Sequence, residues 1–155
     1  MACIQIDWQL EPDGLDDAGV EAAARAAIDV GDREVAELSI ALVDDPTLAE
    51  LHGRYLNDPT VTDVMSFDVT PGPPSAPLVG EVVVSVDRAR DVAARRGVGL
   101  DYELALYVVH GTLHLCGFDD IDEGDRVAMR AAERRALGAL GYPLESAPHE
   151  EPPVS

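Results

Sequence analysis

Residues 104–109 form an unbroken apolar run that passes directly into His110-Gly111-Thr112-Leu113-His114-Leu115-Cys116-Gly117-Phe118-Asp119-Asp120. The run reads as the buried half of a helix spanning Leu100 to Cys116, and the rest of the chain must be arranged around it. Positions four apart stack on one helical face, so His110 and His114 aim their imidazoles at a common point. Gly117 is the kind of residue that ends such a helix in a left-handed turn. The chain can then double back and bring Asp119 or Asp120 to the same point. Two histidines and a carboxylate make an open zinc site, with three protein ligands and one place for water. The plainer reading, that both histidines are hydrogen-bonded core residues, stands beside it.

The 155 residues suit a single domain with a real core, and 46% apolar with 26% charged residues is ordinary for a soluble protein. No stretch approaches the length of a membrane span, and Met1-Ala2-Cys3-Ile4-Gln5 lacks a secretory pattern, which points to the cytoplasm. The formal net charge is −19 and every cation is arginine. Such a field repels polyanions at long range and argues against loose RNA binding, though salt screens exposed charges beyond about 10 Å and leaves room for a local site. Cys3 and Cys116 make no disulfide framework. Cys116, two residues after His114, should point away from the histidine face as a small core residue.

Along the chain, Cys3 to Gln9 alternates apolar and polar residues as a half-buried strand does. Asp13 to Asp17 is a turn offering several helix caps, Val20 to Ile28 carries helical spacing, and Gly31 supplies a stop. Glu34 to Val43 contains a strand with Leu38, Ile40 and Leu42 on one face. Asp44-Asp45-Pro46 opens a short helix whose Leu48, Leu51 and Tyr55 pack inward. Asn57 to Thr62 is a loop. Val64 to Val69 and Leu78 to Val86 are strands of a hairpin closed by the proline-rich stretch 71–77. Asp87 to Arg96 is a helix ending at Gly97, and Asp122 to Leu140 is a last helix with an acidic start. Together these predict an α/β (α+β) domain over residues 1–144, a mixed sheet of about four strands covered by helices. Residues 145–155, acidic and proline-rich, read as a disordered tail.

The motif also lacks something. Zinc proteases of the HExxH type carry a glutamate beside the first histidine as general base, and here that position is Gly111. Cleavage of RNA needs less, because a 2′-hydroxyl or a metal-bound water can attack the phosphate. Phosphate contacts would come from arginine. Arg126, Arg130 and Arg134 form an i, i+4 stripe on the last helix, and Arg88, Arg90, Arg95 and Arg96 decorate an earlier one; a solvated face is the ordinary reading of both.

HGTLHLCGFDD resembles the signature of YbeY, a bacterial rRNA maturation factor family of endoribonucleases and metalloproteins, usually written HGxLHLxGYDH. Leu51 to Phe67, ending Thr62-Asp63-Val64-Met65-Ser66-Phe67, is similar to the family's segment finishing PTDVLSF. Gly80-Glu81-Val82-Val83-Val84-Ser85 resembles its GDIVIS strand. The resemblance spans about residues 35 to 143. It implies a zincin-like metal site on an α/β domain, with the strand near Ser66 lining the cleft. It implies one zinc ion on His110, His114 and Asp120, although nickel, iron or manganese suit the same ligands. It further implies His114 as a catalytic residue and substrate contacts from Arg54, Asp63 and Ser66; Asp119, next to the third ligand, is read as catalytic by orienting a histidine, with turn formation as its plainer role.

The implied reaction is single-strand endonucleolytic cutting of an rRNA precursor in rRNA maturation and ribosome quality control, with the ribosomal subunit or its proteins as partners. The sequence departs from the family at two places. Asp120 stands where the family has its third histidine, lowering the formal charge of a zinc site from +2 to +1 and weakening it as a Lewis acid. Leu56, after Tyr55, stands where the family commonly has an arginine linked to activity. Two alternatives remain: a zinc peptidase or other metallohydrolase on the same scaffold, and a non-catalytic ribosome-assembly binding protein, which Leu56 and the negative charge favour.

Overall fold

The computed structural model describes residues 2–12, 14–56, 64–119 and 122–142, with 51–56 as backbone only. The expected tail 145–155, the loop 57–62, and residues Asp63 and Asp120 lie outside the described residues. The chain runs β1 (Cys3–Trp8), α1 (Asp17–Gly31), β2 (Val35–Val43), α2 (Asp45–Leu56), β3 (Val64–Asp68), β4 (Leu78–Ser85), α3 (Val86–Arg96), α4 (Leu100–Leu115) and α5 (Glu123–Ala139). The strands form one sheet in the order β1-β2-β4-β3. β1, β2 and β4 are parallel, and β3 returns antiparallel along β4 with Val64 opposite Val84 and Asp68 opposite Gly80. The mixed four-stranded α/β sheet read from the sequence is therefore the fold.

Strand alternation decides which side of the sheet is covered. Leu38, Ile40 and Leu42 of β2, with Leu78, Val82 and Val84 of β4, are at most 1% exposed and form one core with α1, α4 and α5. On the opposite face Val43, Met65 and Val83 pack with Leu48 of α2 in a smaller cluster. No helix among the described residues is long and apolar enough to cross a membrane.

α4 is buried on nearly every side, from Tyr102 through Leu113. It lies against β3 and β4 on one flank and α1, α3 and α5 on the others, so a one-faced amphipathic pattern would have been wrong for it. Leu106, Val108, Val109 and Leu113 are fully buried, and each such side chain contributes about 1.5–3 kcal/mol of apolar transfer free energy. Glu103, 1% exposed, is matched by Arg96, whose Nη1 lies 3.1 Å from both carboxylate oxygens. That pair ties the end of α3 to the start of α4.

Gly31 does not act as the stop that its type suggests. It is the last helical residue of α1, and Asp32 takes the left-handed conformation (φ 56°) and donates its N–H to the Ile28 carbonyl. Glycine is required at 31 for another reason: a Cβ there would lie 2.5 Å from Cys116 Sγ. The end of α1 thus packs directly on the end of α4. Cys116 points into that contact, as the spacing predicted, and burial pushes its thiol above the usual range while nearby Arg33 pulls it back.

Candidate active site

The last two turns of α4 present the histidine pair. The rings of His110 and His114 meet edge to face, 4.6 Å between centroids and 84° between planes, and their Nε2 atoms are 3.1 Å apart. The pair converges as the i, i+4 spacing predicts. His110 is 8% exposed, whereas His114 stands half-buried at the surface.

The other nitrogen of His110 is held from a different helix. Its Nδ1 lies 2.5 Å from Oε2 of Glu133, a carboxylate with no solvent exposure on α5. A carboxylate there favours the tautomer whose proton is on Nδ1, so the Nε2 lone pair of His110 faces His114. In this arrangement the lone pair accepts a hydrogen bond from His114; the same lone pair is what a cation would use. Two nitrogens at about 2.0–2.1 Å from a tetrahedral zinc stand roughly 3.3 Å apart. The 3.1 Å between the two Nε2 atoms fits that edge. Among the described residues no group of three or more His, Cys, Asp or Glu side chains gathers closely enough to hold a metal.

Behind the histidines the helix touches the sheet. A Cβ at Gly111 would meet Val82 Cγ1 at 2.8 Å, Val64 Cγ2 at 2.9 Å and Ser66 Oγ at 3.1 Å. Glycine is what lets α4 lie so close to β3 and β4. Ser66 donates its hydroxyl to the Gly111 carbonyl at 2.8 Å, so it fastens the edge strand to the helix beside the histidines. Thr112, fully buried, returns its hydroxyl to the Val108 carbonyl at 2.8 Å.

The end of α4 is the glycine turn anticipated for it. Gly117 has φ 106°, its N–H bonds the His114 carbonyl at 3.1 Å, and the N–H of Phe118 reaches back to Leu113 at 3.0 Å. This pair of bonds is a Schellman closure, which reverses the chain at once. Arg33 supplies a further donor, its Nη1 lying 2.5 Å from the Leu115 carbonyl and 3.5 Å from Asp68 of β3. The carboxyl of Asp68 is held below the usual range mainly by its hydrogen bonds from Thr70, with Arg33 adding to them.

The expected site residues are therefore placed as follows. His110 and His114 come together, and Ser66 lies beside them with its hydroxyl on backbone. Asp119 is half-buried just past the turn. Arg54 falls on α2 in the stretch described as backbone only, as does Leu56, while Asp63 and Asp120 lie outside the described residues. The carboxylate that orients His110 is Glu133, which the sequence reading did not single out. Its signal was present: Glu133 occupies the centre of the apolar series Met129, Ala132, Ala136 and Leu137, all at most 2% exposed. A charged residue at core spacing needs a buried partner.

Comparison with known proteins gives the family. The family model described as Endoribonuclease YbeY matches residues 8–141. The chain is 35% identical to a protein named Endoribonuclease YbeY from Desulfitobacterium hafniense, covering 83% of this chain and 85% of that one. It is 39% identical to the namesake from Azorhizobium caulinodans, covering 89% and 93%. The solution structure of TM1509 from Thermotoga maritima superposes with a TM-score of 0.56 over 96% of this chain and 99% of the other, at 18% identity, a likeness of fold. With a family match running from the end of β1 past the end of α5, through the histidine helix and the helix that orients it, the chain belongs to the endoribonuclease YbeY family.

Proposed function

We propose that this endoribonuclease is metal-dependent and specific for single-stranded RNA, and that it acts in the cytoplasm on rRNA precursors during maturation and ribosome quality control. Its partners on this reading are RNA and the ribosomal subunit or its proteins. The observation that carries the proposal is the histidine pair with Nε2 atoms 3.1 Å apart and a buried carboxylate behind one ring. A carboxylate–histidine arrangement of this kind is the usual support of a metal ligand.

His110 and His114 would hold the ion, with Asp120 as third ligand from the segment beyond the turn, in a zincin-like arrangement. Zinc is the first choice. Bound there it would supply Lewis acidity that polarises a phosphoryl oxygen and makes water more acidic. The chain's own residues do the rest. Glu133 keeps the proton of His110 on Nδ1 and the ring in one orientation. Ser66 fastens β3 to α4 beside the histidines and so fixes how closely the edge strand approaches them. Asp119, half-buried one residue beyond Phe118, is within the segment that would bring a carboxylate to the second histidine. Arg54 and Asp63 are the proposed contacts to substrate.

The packing at Gly111 favours a nuclease over a peptidase. The position where a peptidase of this type carries its general base meets two valines and a serine within 3.1 Å, which leaves no room for a glutamate without moving the sheet. The deciding experiment is cleavage of a single-stranded RNA by metal-loaded protein, beside elemental analysis of the purified chain. Chelation and His114→Ala should each abolish cutting while the thermal transition persists, because His114 is half-exposed. Cleavage that survives both would overturn the metal-dependent reading.

A further inference from the structure

The sheet has two edges, and they differ in what holds them. β3 is the edge beside the histidines, fastened by Ser66 to α4 and by Asp68 to Arg33. β1 is the opposite edge and pairs, among the described strands, only with β2. Three spacings of about 4.8 Å put roughly 14 Å between the two outer strands.

One printed bond sets the direction of every backbone group on β1. Gln9 donates its N–H to the Leu42 carbonyl at 2.9 Å, and β1 runs parallel to β2 in unbroken register with Trp8 opposite Leu42. In a parallel ladder each residue turns both its N–H and its C=O to one side, and the next residue turns them to the other. Cys3, Gln5 and Asp7 therefore share the side of Gln9 and bond β2. Ile4, Ile6 and Trp8 turn theirs outward, three N–H and three C=O groups in a row about 13 Å long. The Ala2 carbonyl has the same parity and is already taken, by Arg25 Nη1 of α1 at 3.3 Å. Among the described residues no hydrogen bond fills the six groups beyond it. Natural edges are blunted by proline, a bulge, a lysine or a covering segment. β1 reads Cys-Ile-Gln-Ile-Asp-Trp, without proline or cation, and its pairing has no register shift.

The two faces of β1 specify what would add to it. Ile4, Ile6 and Trp8 are half-buried and pack against the main core, so a neighbouring strand would set apolar side chains beside them. Cys3, Gln5 and Asp7 are exposed on the other face, where Glu37 stands opposite Cys3. Asp7 is bonded by the neutral amide of Gln9, and none of the four strands contains a basic residue. We propose that β1 is a docking edge for an extended segment of a partner protein that alternates apolar and basic residues and adds as a fifth strand. Its backbone fills the six groups, its apolar side chains cover Ile4, Ile6 and Trp8, and its cations lie over Asp7. A second copy of this chain suits the edge less well, because it brings a net charge of −19 to a surface already acidic. Docking here is independent of the nuclease reading, since the added strand lies across the sheet from β3 and leaves the histidines open.

The probe is a blocked peptide of alternating arginine and valine, about eight residues long, titrated into the full chain at about 0.15 M salt. Two N-methylated forms keep its charge and side chains, one methylated on the valine amides and the other on the arginine amides. A strand turns one set to its neighbour and the other to solvent. One form should therefore bind weaker by about tenfold or more while the other binds like the parent. On binding, amide hydrogen exchange should slow at Ile4, Ile6 and Trp8. Ile6→Pro deletes one outward N–H and should weaken the parent peptide by a similar factor, with RNA cleavage unchanged; should that variant fail to fold, the two methylated peptides decide alone. Equal affinities of the two methylated forms, or slowed exchange elsewhere with Ile4, Ile6 and Trp8 unaffected, overturn the proposal. A dimer of the peptide-free chain that Ile6→Pro abolishes would give the edge to a second copy and overturn the assigned partner.

Discussion

Replacing Glu133 by glutamine separates its orienting role from a merely structural one. The carboxylate has no solvent exposure and lies 2.5 Å from His110 Nδ1. Glutamine keeps the shape and can still accept the Nδ1 proton through its amide oxygen, but it removes a charge that was costly to bury. The hydrogen bond to a neutral amide is about 1 kcal/mol weaker than one to a carboxylate, and the amide is easier to bury, so the metal-free Glu133→Gln chain should unfold within about 1 kcal/mol of wild type. The metal-loaded state should behave otherwise. A neutral partner makes the imidazole a poorer donor and fixes its tautomer less firmly, and losses of this kind cost about 10–100-fold in metal affinity or activity. At 1.36 kcal/mol per tenfold, that is about 1.4–2.7 kcal/mol. Urea unfolding with chelator present gives the first quantity. Competition against a chelator of known affinity, with cleavage of a single-stranded RNA, gives the second. A Glu133→Gln protein that is several kcal/mol less stable yet binds metal and cuts RNA like wild type would refute the argument, because Glu133 would then be a packing partner only.

Three further substitutions probe the surroundings. Gly111→Ala places a Cβ under 3 Å from Val82 and Val64, and overpacking of this kind should destabilise by about 1–3 kcal/mol in thermal unfolding; an unchanged transition would mean that α4 does not lie against the sheet as described. Arg33→Gln removes a charged donor from the Leu115 carbonyl and should cost about 1–2 kcal/mol, whereas Asp68→Asn keeps an Oδ1 for the bonds from Thr70, loses a half-exposed ion pair and should stay within about 1 kcal/mol of wild type. Equal losses in the two would show that the ion pair, and not the helix cap, is what matters. With a thiol reagent at pH 8, exposed Cys3 should react first and Cys116 slowly, since burial raises the Cys116 thiol and reduces its thiolate fraction; raising the pH should narrow the gap.

How much of this was legible in the sequence depends on whether the deciding contact is local. The convergence of His110 and His114, the left-handed Gly117 and the strand alternation of β2 all follow from the period of one element, and all are found. Gly31 fails that test in an instructive way. Its type and position suggest a helix stop, but Asp32 supplies the left-handed residue, and glycine is needed at 31 because α4 arrives from 85 residues away with Cys116 at its tip. Glu133 fails for the same reason. Nearness in sequence points to Asp119 as an orienting carboxylate, and the Schellman closure at Gly117 turns the chain three residues after His114; the carboxylate on His110 comes from a helix 23 residues on. What betrays it is a conflict of levels: a carboxylate at the centre of an apolar series is a poor choice for a packed helix unless something buried needs it. The same conflict marks Glu103, where the answer is Arg96 and the role is to join two helices. In a chain this acidic most carboxylates face water and carry no message, so the two found buried among the described residues are the ones that point to a partner. One of those partners is an arginine on the preceding helix, and the other is the histidine on which the proposed chemistry depends.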